Sequence, residues 1–285
     1  MSRPQATLTS PVEAEGVGLH SGARVRARIL PAPPEHGLRF VRLDLPDSPE
    51  VPALAAHVRS SQLATTLGCG PCSAATTEHL LAALYGLRID NARIELSGPE
   101  VPALDGSAAP WTRLLQGAGR LSQDRPSRAI RLLRRVEVHQ GDRMIALEPS
   151  ERLSLAVHID FAHEAIGAQS IDLELDPDSF LRELAWARTF GFTAELDALR
   201  TAGLARGGSL ENAVVFGDEG QVLNTEGLRA PDEPVRHKAL DLVGDLALLG
   251  AELQARVSAV RPGHALSLAL MQALLADPSA WTRSV

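Results

Sequence analysis

Lysine is almost absent from this 285-residue chain: Lys238 stands alone, and every other member of the Lys+Arg count of 28 is arginine. A chain that uses arginine wherever positive charge suffices, yet keeps one ammonium, marks that position as needing a compact point charge rather than a planar fork. Cysteine is scarce too. Cys69 and Cys72 form a single CxxC in LGCGPCSAATTEHL; with no second pair nearby it is at best half of a structural zinc site, and it reads as a loop. No apolar run reaches transmembrane length, and MSRPQATLTSPVEAEG lacks the hydrophobic segment of a signal peptide. A cytoplasmic protein with no integral membrane segment is therefore expected. Positive charge is in deficit, with a formal net charge of -7. That excludes a broad electrostatic attraction for nucleic acid or anionic membrane and makes a small molecule the expected partner.

What is present is enough apolar residue, 45% of the chain, to bury one large core or two smaller ones. Alternating segments VRARIL (25–30), LRFVRL (38–43) and ARIEL (92–96) predict strands, and TTEHLLAALYG and APWTRLLQGAG predict helices. The polar stretch LSQDRPSRA (121–129) reads as a linker. Strands then resume in RLLRRVEVH, RMIALEP, LSLAVHID and SIDLEL. A helix follows near Pro177, another covers about 234–250, then come the strand LQARVSAV and a last helix from Gly263. The fold class is α+β in two similar domains, 1–122 and 128–285. PEVPAL occurs at 49–54 and again at 99–104, and two copies in different contexts do not make a repeat architecture.

The chemistry gathers on two predicted helices. Glu78 and His79 follow the cap candidates Thr76 and Thr77, so they fall in a first helical turn. Adjacent residues point in different directions, so one can bind a metal while the other meets the attacking water. His237, Asp241 and Asp245 recur every fourth residue beside Lys238 and share one helix face. With His79, His237 and Asp241 make three ligands, the number a catalytic zinc takes while keeping an open position. His264 opens the last helix, where it can face the site as a general acid. A rival cluster, His158 and Asp160 in HIDFAH, alternates onto one strand face but lacks a rigid third ligand.

These residues sit within GVGLHSG (16–22), TTEHLLAALYGLRIDNARIEL, PEVPALDGSAAPW, IDFAHEAIG, ARTFGF (187–192), GLARGGSLENAVV, LNTEGLR, VRHKALDLVGDL and GHAL (263–266). In that order, along nearly the whole chain, they resemble the zinc-dependent UDP-3-O-acyl-N-acetylglucosamine deacetylases that commit bacteria to lipid A synthesis. The resemblance implies two α+β domains with their helices sandwiched between the sheets and the site at the junction. It implies that Zn2+ is held by His79, His237 and Asp241, with Glu78 as general base. Thr189 and Lys238 then stabilise the oxyanion, and His264 is held cationic by Asp245. For the UDP half it implies Asp160 and Phe161 at uracil, with His20, Arg143 and Arg261 toward the polar groups. For the acyl chain it implies an apolar passage between Phe190 and about Val215, to which Phe192, Leu204 and Val214 contribute. The expected partner is an acylated UDP-sugar bound by a monomer. Two alternatives stay open: a deacetylase of another sugar nucleotide, and a catalytically silent sugar-nucleotide-binding paralogue. Retention of Glu78 argues against the second, because a binding module needs no base beside the metal.

Overall fold

The computed structural model describes residues 3–284; Met1, Ser2 and Val285, which the expected domain limits include, lie outside the described residues. The first half contains β1 (Pro4–Leu8), β2 (Val12–Val17), β3 (Arg24–Pro31), β4 (Leu38–Arg42), β5 (Glu50–Pro52), β6 (Val58–Ser60), β7 (Thr66–Cys69) and β8 (Cys72–Ala74). It continues through α1 (Glu78–Gly86), β9 (Ala92–Leu96), α2 (Ala109–Ala118) and β10 (Arg120–Pro126). Strands β2, β3, β9, β4 and β5 form a five-stranded sheet in that order. In β3 the residues alternate between buried and exposed faces, as a half-covered strand requires. The segment expected to be a linker is instead β10, antiparallel to β1 with Ala6 opposite Ser122. Nearly every residue of β10 faces solvent. An edge ribbon of this kind shows no apolar alternation and so resembles a loop in sequence.

The second half contains β11 (Ala129–Leu132), β12 (Val136–Gln140), β13 (Arg143–Pro149), β14 (Ser154–Phe161), β15 (Gly167–Glu174) and a short turn of helix, α3 (Pro177–Ser179). It continues with β16 (Phe190–Phe192), α4 (Thr193–Thr201), β17 (Val214–Phe216), α5 (Glu233–Leu246), β18 (Glu252–Val260), α6 (His264–Ala276) and β19 (Trp281–Ser284). Its seven-stranded sheet centres on β18, which is antiparallel to β13 and parallel to β14 and β11. The chain is thus mixed α+β, as its patterning predicts. Buried apolar residues from both sheets and from α1, α2, α5 and α6 join in one contiguous core.

Helices α1 and α5 are the parts of this core that matter for chemistry. Every residue of α1 except Tyr85 is buried, and α5 leaves only Arg236 and Lys238 partly open. Helices so enclosed are covered on all sides rather than along one stripe. They cross closely because Gly244 has no side chain: a Cβ there would lie 2.1 Å from the Glu78 carbonyl oxygen. Gly244 follows Asp241 by three residues and His237 by seven, so this contact sits on the helix face that carries those two side chains.

Candidate active site

The α1–α5 crossing brings three side chains to one point. Ligand atoms of His79, His237 and Asp241 lie within 4.8 Å of one another, and all three residues are buried. Asp241 Oδ1 is 3.3 Å from Nε2 of each imidazole, and the two rings meet edge to face at 5.0 Å. His237 Nδ1 lies 3.3 Å from the Ala187 carbonyl, the second contact that orients a metal-binding imidazole and leaves Nε2 free. Burial pushes His237 down to about 3, so at neutral pH its ring is uncharged and has a lone pair to give. Burial opposes ionisation of Asp241, but His237 and Lys238 outweigh it and hold the carboxyl well below the usual range. Two imidazole nitrogens and one carboxylate suit a divalent ion such as zinc.

Glu78 stands next to this group, opening α1. Burial raises its pKa, although His264 and His79 work the other way. Its Oε2 accepts from the Thr65 N–H at 3.1 Å, and its Oε1 lies 3.8 Å from His264 Nε2. His264 Nδ1 is 2.9 Å from Asp245 Oδ2. Burial alone would lower His264, but Asp245 and then Glu78 overcome it and raise the imidazole to about 10. The lone Lys238 reaches Asp241 Oδ2 at 2.9 Å, with its ammonium 5.4 Å from the centre of the Phe190 ring.

The remaining predicted residues gather around this centre in three groups. Thr189 donates its backbone N–H to the Gly106 carbonyl and accepts from Val214 N–H, which ties the segment before β16 to the first half. Phe161, Phe190, Phe192 and Phe216 form a cluster of rings, and Phe190 lies 5.9 Å from His237. Val214 is buried, Leu204 is half-buried, and no residue of α4, which precedes Leu204, is buried. Arg261 pairs with Asp160 at 2.6 Å, and Arg143 Nε donates to the Arg261 carbonyl at 2.9 Å. His20 donates its N–H to Glu100 at 2.9 Å; burial lowers its imidazole despite Glu100, with His264 adding to the fall.

The rival cluster does not assemble. His158 meets Ser170 at 2.8 Å while Asp160 turns to Arg261. Cys69 and Cys72 face each other across the β7–β8 hairpin rather than in an irregular loop, and both are free. Among the described residues they join no metal-binding group.

Four residues near the site are not evident from sequence. Thr65 links Glu78 to Asp245. Glu100 accepts from His20 N–H, Ser21 N–H and the Thr76 hydroxyl, so the second PEVPAL carries a buried anchor whereas Glu50 of the first is exposed. Arg188 and Glu233 form a buried pair at 2.9 Å that pins the ARTFGF segment to the start of α5. Only the last had a local signal, an acidic residue in a first helical turn.

Two α+β halves meeting over a buried His/His/Asp group with a carboxylate beside it have the make-up of a hydrolase with a metal centre. The chain belongs to the UDP-3-O-acyl N-acetylglycosamine deacetylase family, whose model matches residues 5–276. A protein of Myxococcus xanthus (strain DK1622) named UDP-3-O-acyl-N-acetylglucosamine deacetylase is 48% identical over 277 residues, covering 97% of this chain and 88% of that protein. The protein of the same name from Phenylobacterium zucineum (strain HLK1) is 49% identical over 279 residues, 97% and 95% of the two chains. That of Anaeromyxobacter dehalogenans (strain 2CP-C) is 46% identical over 276 residues, 97% and 89%.

Proposed function

We propose that this chain hydrolyses the N-acetyl group of UDP-3-O-acyl-N-acetylglucosamine, releasing acetate and UDP-3-O-acyl-glucosamine, an early committed step of lipid A biosynthesis. Among the geometric observations, one carries the reading: a buried carboxylate, Glu78, sits beside a converged His79, His237 and Asp241, and among the described residues no arginine pairs with it. His79, His237 and Asp241 would hold a zinc ion, which would supply Lewis acidity toward the acetamide carbonyl and the attacking water. Glu78 takes the proton from that water as its oxygen bonds to the carbonyl carbon. Charge then develops on the carbonyl oxygen. Lys238 and Thr189 are assigned as the donors that stabilise it, and donors fixed in advance are worth most where water is excluded. When the carbon–nitrogen bond breaks, the amine must leave protonated. The proton that Glu78 took from the water goes to that amine, either from Glu78 itself or by way of His264, which Asp245 holds cationic beside it.

The aromatic group of Phe161, Phe190 and Phe192, with Leu204 and Val214, is assigned to the acyl chain and the ring platform; Asp160, Arg143, Arg261 and His20 are assigned to the UDP half. A mainly apolar lining with a few fixed polar groups suits such a ligand. The division into 1–122 and 128–285, a monomeric state and a cytoplasmic location belong to the same reading. No helix among the described residues is long and apolar enough to cross a membrane. The test is acetate release by purified protein from UDP-3-O-acyl-N-acetylglucosamines of several chain lengths. Turnover that ignores the acyl chain, or that prefers another N-acetylated sugar nucleotide, would overturn the substrate assignment.

A further inference from the structure

Thr65 precedes β7, is 3% exposed, and spends every polar group it has on the site. Its N–H donates to Glu78 Oε2 at 3.1 Å. Its hydroxyl donates to Asp245 Oδ1 at 2.7 Å. Its carbonyl accepts from the Thr77 hydroxyl at 3.1 Å and the Thr77 N–H at 3.2 Å. The hydroxyl oxygen also lies 3.3 Å from His264 Nδ1. These partners stand at the start of α1, in the last turn of α5 and at the start of α6, separated from Thr65 by 13, 180 and 199 residues for Glu78, Asp245 and His264.

Two consequences follow from donor arithmetic. A backbone N–H on Oε2 of Glu78 leaves Oε1 as the free oxygen, and Oε1 is the one that faces His264 Nε2. A hydroxyl has one proton, so once it is given to Asp245 Oδ1 the oxygen can only present a lone pair to His264 Nδ1. Asp245 is then gripped at Oδ1 by Thr65 while its carboxylate meets the His264 ring, Oδ2 at 2.9 Å and Oδ1 at 3.1 Å from Nδ1. A carboxylate torsion is broad when nothing holds it, and one such constraint removes its freedom to turn the imidazole. The β-branch of threonine also restricts χ1, which keeps the hydroxyl aimed.

We infer that Thr65 is a positioning residue that fixes Glu78 and the Asp245–His264 pair relative to each other; the inference rests on the deacetylase reading above. It touches neither the triad nor any substrate group assigned above. The test compares Thr65→Val, which keeps shape, branch and backbone N–H, with Thr65→Ser, which keeps the hydroxyl, and places Thr65→Val also in an Asp245→Asn background. The valine variant is expected to lower kcat about 10-fold or more, the scale of a small misplacement near reacting groups. Its KM stays within about twofold and its metal content matches wild type, since only positioning is lost. The serine variant recovers most of the lost kcat. In the Asp245→Asn background the valine change costs less than about twofold more, because coupled residues are not additive. An unimpaired valine variant, a valine effect undiminished by Asp245→Asn, or joint loss of metal and kcat that serine does not rescue overturns the role of Thr65. Absence of acetate release by the wild-type chain overturns the deacetylase reading itself.

Discussion

The two ends of α1 both lie where the halves of the molecule meet, and they treat charge in opposite ways. A nine-residue helix spans only about 14 Å. At its C-terminal end Tyr85, Gly86 and Arg88 line a cavity of about 690 Å3, with Arg3, Asp90 and Glu252 on its wall. There carboxylates pair with arginines: Arg3 holds Asp90 at 2.7 Å and Glu252 at 3.1 Å, Arg88 lies 3.9 Å from Glu252, and Arg152 holds Glu174 at 2.6 Å. At the N-terminal end three buried carboxylates, Glu78, Asp241 and Asp245, face three imidazoles and a single lysine. Among the described residues no arginine pairs with any of them. Volume therefore does not mark the chemistry. Buried carboxylates paired with imidazoles and one lysine instead of arginine, with pKa values pushed apart, do.

The sharpest way to break this contrast is to put a guanidinium where the site keeps an ammonium. Lys238→Arg should fold and bind metal normally yet lower kcat about 100-fold or more, because a forked donor mispoints where a point charge is needed. Near wild-type kcat/KM would return Lys238 to the role of a partly exposed partner of Asp241. Gly244→Ala should act on the same end through packing, since its methyl would meet the Glu78 backbone. Forcing α1 from α5 should cost about 1–3 kcal/mol in a denaturant melt and weaken metal retention together. Intact metal affinity in a destabilised Gly244→Ala would separate packing from the site.

A smaller effect concerns pH. His264 is raised from 6.5 to about 10 in the folded chain, so its proton stabilises the fold fully below pH 6.5. Above that, the unfolded state releases the proton first, and the contribution declines until it is gone above about pH 10. The stability difference between wild type and His264→Gln, followed by denaturant melts, should therefore shrink as pH rises from 6.5 to about 10. A difference independent of pH would contradict the Asp245–His264 pairing. Smallest for activity is the other end of α1. Asp90→Ala should cost about 1–3 kcal/mol of stability by stranding the Ala6 N–H and leaving Arg3 only Glu252 as an acidic partner, and leave kcat alone. A large fall in kcat would show that the two ends are coupled.

How much of this was legible depended on sequence distance. His237 and Asp241 share a helix face by spacing, Glu78 and His79 are neighbours, and Lys238 is conspicuous by rarity, so the centre could be read locally. The strands with one buried face, such as β3 and β18, showed alternation. Thr65 had no such signal, because its partners are assembled by folding and a buried threonine looks like any other in a list of residues. Glu100 was hidden inside a repeated hexapeptide whose two copies face different environments. Strand β10 was hidden by its own exposure: pairing with β1 satisfies its backbone without an apolar face.

The central claim is that the triad and Glu78 do separate things, one holding an ion and the other moving a proton. Metal content and acetate release measured side by side for wild type, His79→Ala and Glu78→Ala test it most directly. Wild type should carry one zinc per chain and turn over, and His79→Ala should lose both. Glu78→Ala should keep the metal and lose about 100- to 10,000-fold in kcat, the range for removing a general base. Undiminished acetate release from chelated protein, or a Glu78→Ala variant that sheds its metal in step with its activity, would contradict the account.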